Sequence, residues 1–111
     1  MTRAAFRNLI LAFDGVEERP HMDRAAFRTK RKIFATLGAD RRVNLHVQPE
    51  ERRNALMETF PDAFYPLGGW TRLGILAVDL ATVDEALLRE LVADAYHDAL
   101  PVKKPPRRSR R

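Results

Sequence analysis

The chain contains no cysteine, so neither a disulfide framework nor a thiolate metal site can form in it. No apolar run approaches the length of a membrane span. Charged residues also interrupt the amino-terminal segment, which therefore lacks the hydrophobic run of a signal peptide. These absences favour a reducing compartment, and we expect a cytoplasmic protein that does not contact membranes.

Catalytic motifs are missing as well. His21, His46 and His97 are far apart, and none belongs to an HExxH motif. The sequence has no nucleophile elbow and no glycine-rich loop of the kind that cradles phosphates. We therefore expect a noncatalytic protein with no catalytic residue, no cofactor and no bound metal.

One acidic stripe offers an alternative to that expectation. Glu90, Asp94 and Asp98 recur at four-residue spacing on a predicted helix, with His97 nearby. Carboxylate oxygens are suitable ligands for a hard cation. Three carboxylates on one exposed helix surface do not close around an ion, however, so a solvated helix face is the stronger interpretation.

The net charge of +5 is unevenly distributed. The last nine residues, KKPPRRSRR, carry six basic side chains and no acidic one, and the preceding 102 residues carry 14 basic and 15 acidic side chains. Residues 24–53, here called the cationic segment, hold nine basic and three acidic side chains. Residues 79–98 hold six acidic side chains and one basic. The body of the protein is therefore nearly neutral but polarised.

Hydrophobic periodicity predicts one domain over residues 1–102. Thr2 caps a first helix, and alternating apolar and polar residues predict three strands between Arg24 and Val47. Pro49 begins a short second helix, about two strands follow, and a third helix ends before Pro101. The order α-β3-α-β2-α predicts an α+β two-layer sandwich: an antiparallel sheet of about five strands with helices on one face.

The connections between these elements are predicted to be less regular. Residues 16–23 are interpreted as an irregular connection, because Pro20 disfavours helix at the residue before it. Lys30 and Arg31 do not readily adopt the positive φ that a two-residue hairpin turn requires, so we expect a bulged or longer turn between the first two strands. Residues 103–111 contain no core-forming side chain, and we expect a disordered basic tail.

Five segments, in this order, resemble the MmcQ/YjbR family. They are Gly15 to Glu18 with His21 and Phe27-Arg28, Lys32 to Leu37, Pro49 to Glu51, Gly69-Trp70 with Arg72 and Gly74, and Ala95 to Lys103. The resemblance covers residues from about 4 to 103 and implies a two-layer fold like that of frataxin and CyaY. Members of the family are commonly described as candidate DNA-binding proteins with a double-wing arrangement.

Two positions depart from the family pattern. Lys30-Arg31 stands where a glycine is common in the first hairpin turn, which makes the turn more cationic. Ile75 stands where a second tryptophan is common, which removes an aromatic side chain that could stack on a base.

The cationic segment predicts a surface that binds nucleic-acid phosphates, with DNA as the expected partner and RNA as the alternative. We expect one dense cluster at the turn after the first strand and the start of the second helix, and a smaller one about 20 Å away at the other end of the strands. The predicted nucleic-acid-binding residues are Arg24, Arg28, Lys30, Arg31, Lys32, Arg41, Arg42, Arg52, Arg53, Trp70, Arg72, Lys103, Lys104, Arg107 and Arg108. The alternative is a charged sheet edge that prevents edge pairing.

Aromatic residues could add base stacking to this surface. Phe34 and Trp70 would serve if both lay on the uncovered face of the sheet. The competing interpretation, which is the stronger one, is that Trp70 packs over the Gly68-Gly69 turn in a small satellite core.

Two other kinds of function stay open. The uncovered sheet face, with Phe34, Ile75 and Ala77, could support a protein partner or a homodimer. Glu17 and His21 share a loop and could line a small-ligand pocket, although a hydrogen-bonded loop anchor is the stronger interpretation.

Overall fold

The computed structural model describes residues 1–101, which form three α-helices and six strands. The helices are α1 (Arg3–Leu11), α2 (Glu50–Thr59) and α3 (Glu85–Ala99). The strands are β1 (Glu17–His21), β2 (Arg24–Arg28), β3 (Ile33–Leu37), β4 (Arg42–His46), β5 (Phe64–Tyr65) and β6 (Ile75–Asp79), with a 3₁₀ helix at Gly68–Leu73. No helix among these residues is long and apolar enough to cross a membrane.

All six strands form one antiparallel sheet in the order β1-β2-β3-β4-β6-β5. The α+β class is therefore confirmed, and the sheet has six strands instead of about five. The additional strand is β1, in the stretch predicted to be irregular. β1 is an edge strand and pairs only with β2. Pro20 is tolerated there because no second neighbouring strand needs the backbone N–H that proline lacks.

The helices pack on one face of the sheet. Phe27, Ala35, Leu45 and Leu76 are mutual partners across four strands, and all of them lie in the same buried cluster as side chains from all three helices. The ring of Phe6 in α1 meets the ring of Phe27 edge-on, with 6.1 Å between centroids. This face is therefore the core side of the two layers.

An irregular β2–β3 hairpin changes the orientation predicted for Phe34. The pairing shifts by one residue, because Phe27 pairs with Ala35 whereas Arg28 pairs with Ile33. Phe34 is the extra residue, and it is fully buried with its ring centroid 6.2 Å from that of Tyr96 in α3. The predicted irregular hairpin is confirmed, but the prediction that Phe34 lies on the uncovered face is wrong.

Three helix ends follow the sequence signals. Thr2 Oγ1 accepts a hydrogen bond from the backbone N–H of Ala5 at 3.0 Å, as expected for an N-cap. Glu50 and Glu51 lie in the first turn of α2, where the helix dipole favours negative charge. α3 ends at Ala99, before Pro101.

Candidate nucleic-acid interface

The face of the sheet opposite the helices, here called the open face, carries a row of small and polar side chains at its centre. Residues paired directly across antiparallel strands share a face, and one such row crosses all six strands: Arg19, Ala26, Thr36, Asn44, Ala77 and Tyr65. Ala26 and Ala77 are buried but do not belong to the helix-side core. Asn44 Nδ2 donates to Thr36 Oγ1 at 3.0 Å.

Arginines flank this central row. Arg24 and Arg28 lie two residues on either side of Ala26, and Arg42 lies two residues before Asn44, so all three share the open face. The Arg42 side chain crosses over Gly38, where an added Cβ would come within 2.7 Å of Arg42 Nε. A side chain at position 38 would therefore displace this guanidinium group.

Two buried polar atoms of the open face lack a hydrogen-bond partner among the described residues. They are Arg42 Nε and Asn44 Oδ1, a donor and an acceptor two positions apart on β4. Buried polar atoms are normally paired. Among residues 1–101 the fold therefore leaves one donor and one acceptor of the open face unpaired, and both atoms are covered by protein.

Apart from Arg19 in the central row, the arginines of the open face occupy its two ends. Arg24 and Arg42 lie at one end, and Arg28 lies at the other beside Lys30. Arg28 lies four residue steps after Arg24 along β2, which corresponds to about 13 Å at ~3.3 Å per residue. This separation is close to the ~12 Å width of the major groove of B-DNA.

Most basic side chains from β2 to β4 form no ion pair with a carboxylate of residues 1–101. Arg28, Lys30, Lys32, Arg41 and Arg42 form no ion pair with a described residue. Arg28 instead donates from Nε to the carbonyl of Thr29 at 3.0 Å, which positions its guanidinium group along the turn. Arg24 has a carboxylate partner in Asp23, at 3.9 Å.

The predicted dense cluster is divided by intramolecular contacts. Arg31 donates from Nε to the carbonyl of Leu100 at 3.1 Å, and from Nη2 to that of Asp98, at the end of α3. Arg53 is buried and donates from Nη1 to the carbonyl of Val47 at 2.7 Å. These two arginines, which were predicted to cluster with Lys30 and Lys32, already have protein partners.

Arg52 contacts the acidic stripe of α3. Its guanidinium group lies 2.7 Å from Asp94 Oδ2 and 3.4 Å from Glu90 Oε2. Two of the three carboxylates proposed above as a hard-cation alternative are therefore paired with an arginine. Within residues 1–101, no group of His, Cys, Asp and Glu is arranged to hold a metal ion.

Glu17 and His21, the two predicted pocket residues, lie on the same concave part of the open face. The pocket has a volume of about 430 Å³, and its lining includes Arg28, Lys30 and Ile33. Glu17 Oε1 is paired with Arg19 Nη2 at 2.6 Å. The cations that line this pocket without a carboxylate partner among residues 1–101 are Arg28 and Lys30.

The remaining predicted residues lie apart from this face or outside the described part. Trp70 is 61% exposed on the 3₁₀ helix, so the interpretation that it packs in a satellite core is wrong. Arg72 is exposed on the same helix, and Arg41 is exposed just before β4. Lys103, Lys104, Arg107 and Arg108, and the predicted disordered tail that contains them, lie outside the described residues.

Sequence reasoning missed the environment of His46. Its Nδ1 is buried without a hydrogen-bond partner among residues 1–101, at the edge of a cleft of about 120 Å³ that Asp94 and Asp98 also line. Burial lowers the pKa of His46, the charge of Lys32 lowers it further, and Asp98 partly opposes both. No motif marks this position, because the histidine meets α3 only in the folded protein.

Comparison with known proteins identifies the fold. The model of the YjbR family matches residues 11–98. The crystal structure of a Deinococcus radiodurans protein with a DUF419 domain is similar at a TM-score of 0.74 and 23% identity, over 85% of this chain and 75% of that one. A Pseudomonas syringae protein is similar at a TM-score of 0.74 and 18% identity, over 90% of this chain and 100% of its own. No curated protein matches the chain.

Proposed function

We propose that this chain, which belongs to the YjbR family, is a small noncatalytic DNA-binding protein that contacts phosphates through its open face and its basic tail. The observation that carries the proposal is the set of cations without carboxylate partners among residues 1–101, above all Arg28, Lys30 and Arg42 on and beside the open face. Such cations are free to replace the counterions of a nucleic acid.

The arrangement favours phosphate contacts over base readout. Arginine forks bind phosphate oxygens in a bidentate manner, and the two cationic ends of the open face are spaced for phosphates on either side of a groove. Phosphate contacts fix the position of a protein on the duplex without reading the sequence. We therefore expect binding with little sequence preference and a strong dependence on salt.

The basic tail adds charge to the same ligand. Six cations in nine residues attract a polyanion whatever their conformation. The role of the tail is therefore separable from that of the open face, and an experiment has to distinguish them.

Fluorescence anisotropy of a labelled DNA duplex at several salt concentrations tests the proposal. The full chain is compared with a chain ending at Val102, and each with the pair Arg28→Gln and Arg42→Gln. For each lost phosphate contact, we expect the slope of log K against log[salt] to become shallower by about 1. Arg89→Gln, on the exposed side of α3, is the matched control and should change neither affinity nor slope.

The outcomes separate the fold from the tail. If the chain ending at Val102 retains salt-dependent binding that the paired substitution weakens, the open face binds DNA. If all binding disappears with the tail, the proposed role of the open face is wrong.

The open face exposes less apolar surface for a homodimer interface than the sequence predicted. Phe34 is buried on the helix side, and Ala77 is fully covered by its neighbours. Ile75 is the partly exposed apolar residue that remains of the three. This weakens the alternative relative to phosphate binding, and it stays a prediction.

A further inference from the structure

The 3₁₀ helix between β5 and β6 displays two large apolar side chains. Trp70 is 61% exposed and Leu73 is 63% exposed. Aromatic side chains normally bury much of their surface, so an exposed indole beside an exposed leucine points to a contact with a ligand or partner.

The exposure of Trp70 does not come from a loose loop. Thr71 Oγ1 accepts from the backbone N–H of Leu67 at 2.7 Å at the start of the 3₁₀ helix. At its end, Gly74 has φ +98, its N–H donates to the carbonyl of Thr71 at 3.0 Å, and its carbonyl accepts from the N–H of Val47 at 2.8 Å. Both ends are therefore fixed, and Trp70 is presented from a braced turn.

The buried Arg53 side chain contacts Gln48, the residue that packs against the end of this 3₁₀ helix. The Gln48 side chain lies so close to Gly74 that an added Cβ would come within 2.5 Å of Gln48 Nε2. Gln48 Oε1 in turn accepts from Nη1 of Arg53 at 3.1 Å. Arg53 thus supports the segment that displays Trp70, a role that its position in the sequence did not indicate.

The charge around Trp70 favours an anionic ligand. Arg72 is the only charged residue between positions 63 and 78, so no carboxylate on this segment repels phosphate. A flat apolar ring beside a single cation matches a nucleotide, which presents a base for stacking and a phosphate for the cation. An acidic or purely apolar partner would use only one of these features.

Trp70 also lies at the end of the sheet where Lys30 lies. Arg28 pairs with Ile33 beside the β2–β3 turn, and His46 pairs with Ile75 directly after the 3₁₀ helix. Because β3 and β6 are two strand spacings apart, the strand ends that adjoin the turn and the 3₁₀ helix are roughly 10 Å apart across the sheet. One short oligonucleotide can therefore reach both.

From these observations we infer that Trp70 is a stacking platform for an unpaired base, and that the nucleic acid this protein binds includes a single-stranded segment. The inference rests on the proposed function and specifies its ligand. Arg72 and Lys30 would hold phosphates on either side of the stacked base. A fully paired duplex would contact the same cations but could not place a base on the indole.

The single tryptophan of the chain makes its own fluorescence a reporter of this site. We would titrate the full chain with a twelve-residue thymidine oligonucleotide and, separately, with a duplex of the same length. We expect the single strand to quench Trp70 fluorescence and the blunt duplex to leave it nearly unchanged. Equal responses to both ligands, or none to the single strand, would overturn the inference.

Affinity measurements on variants provide the second test. Trp70→Ala should weaken binding of a labelled single strand by roughly fivefold or more, and Trp70→Phe should retain most of the affinity. Met22→Ala, which removes another exposed apolar side chain, is the matched control and should have no effect. Unchanged binding by Trp70→Ala would contradict stacking.

Three further results would assign Trp70 or the whole protein differently. If light scattering shows a dimer that Trp70→Ala converts to a monomer, the patch is an interface between copies and the inference fails. If duplex binding depends on Arg28 and Arg42 while Trp70 has no role, the inference fails and the proposed function stands. If neither duplex nor single strand binds, the proposed function itself is wrong.

Discussion

Arginine performs three different tasks in this domain, and the partner of each guanidinium group decides which one. Arg53 is buried and satisfies backbone and side-chain oxygens, Arg52 neutralises carboxylates of α3, and Arg42 lies across Gly38 on the open face. A buried guanidinium with good hydrogen bonds is costly to remove, whereas a partly exposed one without a carboxylate partner is available for a ligand. Charge alone therefore does not define the interface.

His46 makes the stability of the domain depend on pH. Its pKa is lowered in the folded protein, first by burial and then by Lys32, so the unfolded chain binds a proton more readily. The free energy of unfolding should therefore be unaffected by His46 above about pH 7 and should fall as the pH drops through ~6.5. Asp98 moderates the effect because its charge favours protonation.

Urea denaturation at several pH values between 7.5 and 5 measures this dependence. In the His46→Gln variant we expect a smaller loss of stability over this interval than in the native chain. His21→Gln, which removes an exposed imidazole that lies outside the cleft beside α3, is the control. A His46→Gln variant with the same pH dependence as the native chain would contradict the account of His46.

At the level of elements, the turn between β2 and β3 holds the end of α3. Thr29 Oγ1 donates to the carbonyl of Ala99 at 2.6 Å, and Arg31 donates to the carbonyl of Leu100 at 3.1 Å. The last carbonyls of a helix have no intrahelical partner, and a cation beside them also interacts favourably with the helix dipole. This turn therefore connects the cationic side of the sheet to the helical layer.

Replacing the two cations of this turn should have different effects on stability. Arg31→Gln should lower the free energy of unfolding by about 0.5–2 kcal/mol, because the cation and its hydrogen bonds at the end of α3 are lost. Lys30→Gln, at the neighbouring exposed position, should change it by less than about 0.5 kcal/mol. Chemical denaturation of both variants measures the difference, and equal stability of the two would argue against the cap.

The elements themselves were predictable to differing extents. The three helices, β2, β3, β4 and the class of the fold follow from periodicity and capping residues. The edge strand β1 was missed because Pro20 is unfavourable in a central strand but acceptable at an edge, and position in the sheet is a tertiary property. The burial of Phe34 was missed because a shift of one residue in pairing changes the face of a side chain.

For the whole molecule, the two layers carry different electrostatic surfaces. The helical layer presents the acidic stripe of α3 with Arg52 paired to it, and the sheet presents Arg28 and Arg42 without carboxylate partners among residues 1–101. A polyanion should therefore approach the open face and the Lys30 end of the sheet. Like charge repels it from α3.

The sequence predicted which types of side chain form the candidate site better than it predicted how these side chains are arranged. The sequence identified a cationic segment, but it grouped Lys30 with Arg31, Arg52 and Arg53. The groups that these three arginines contact come close to them only when the chain folds. The exposure of Trp70 could not be predicted either, because the burial of a side chain depends on which residues pack around it in the folded domain.

Binding of phosphates by the open face is tested most directly by a map of backbone amide chemical shifts in the full chain as a short DNA duplex is added. We expect the largest shifts on the open-face residues of β2 and β4 and on the β2–β3 turn, and small shifts on α1 and along the exposed side of α3. The same pattern should appear in the chain that ends at Val102. Shifts confined to residues 102–111, or centred on α3, would contradict the central claim that the open face binds phosphates.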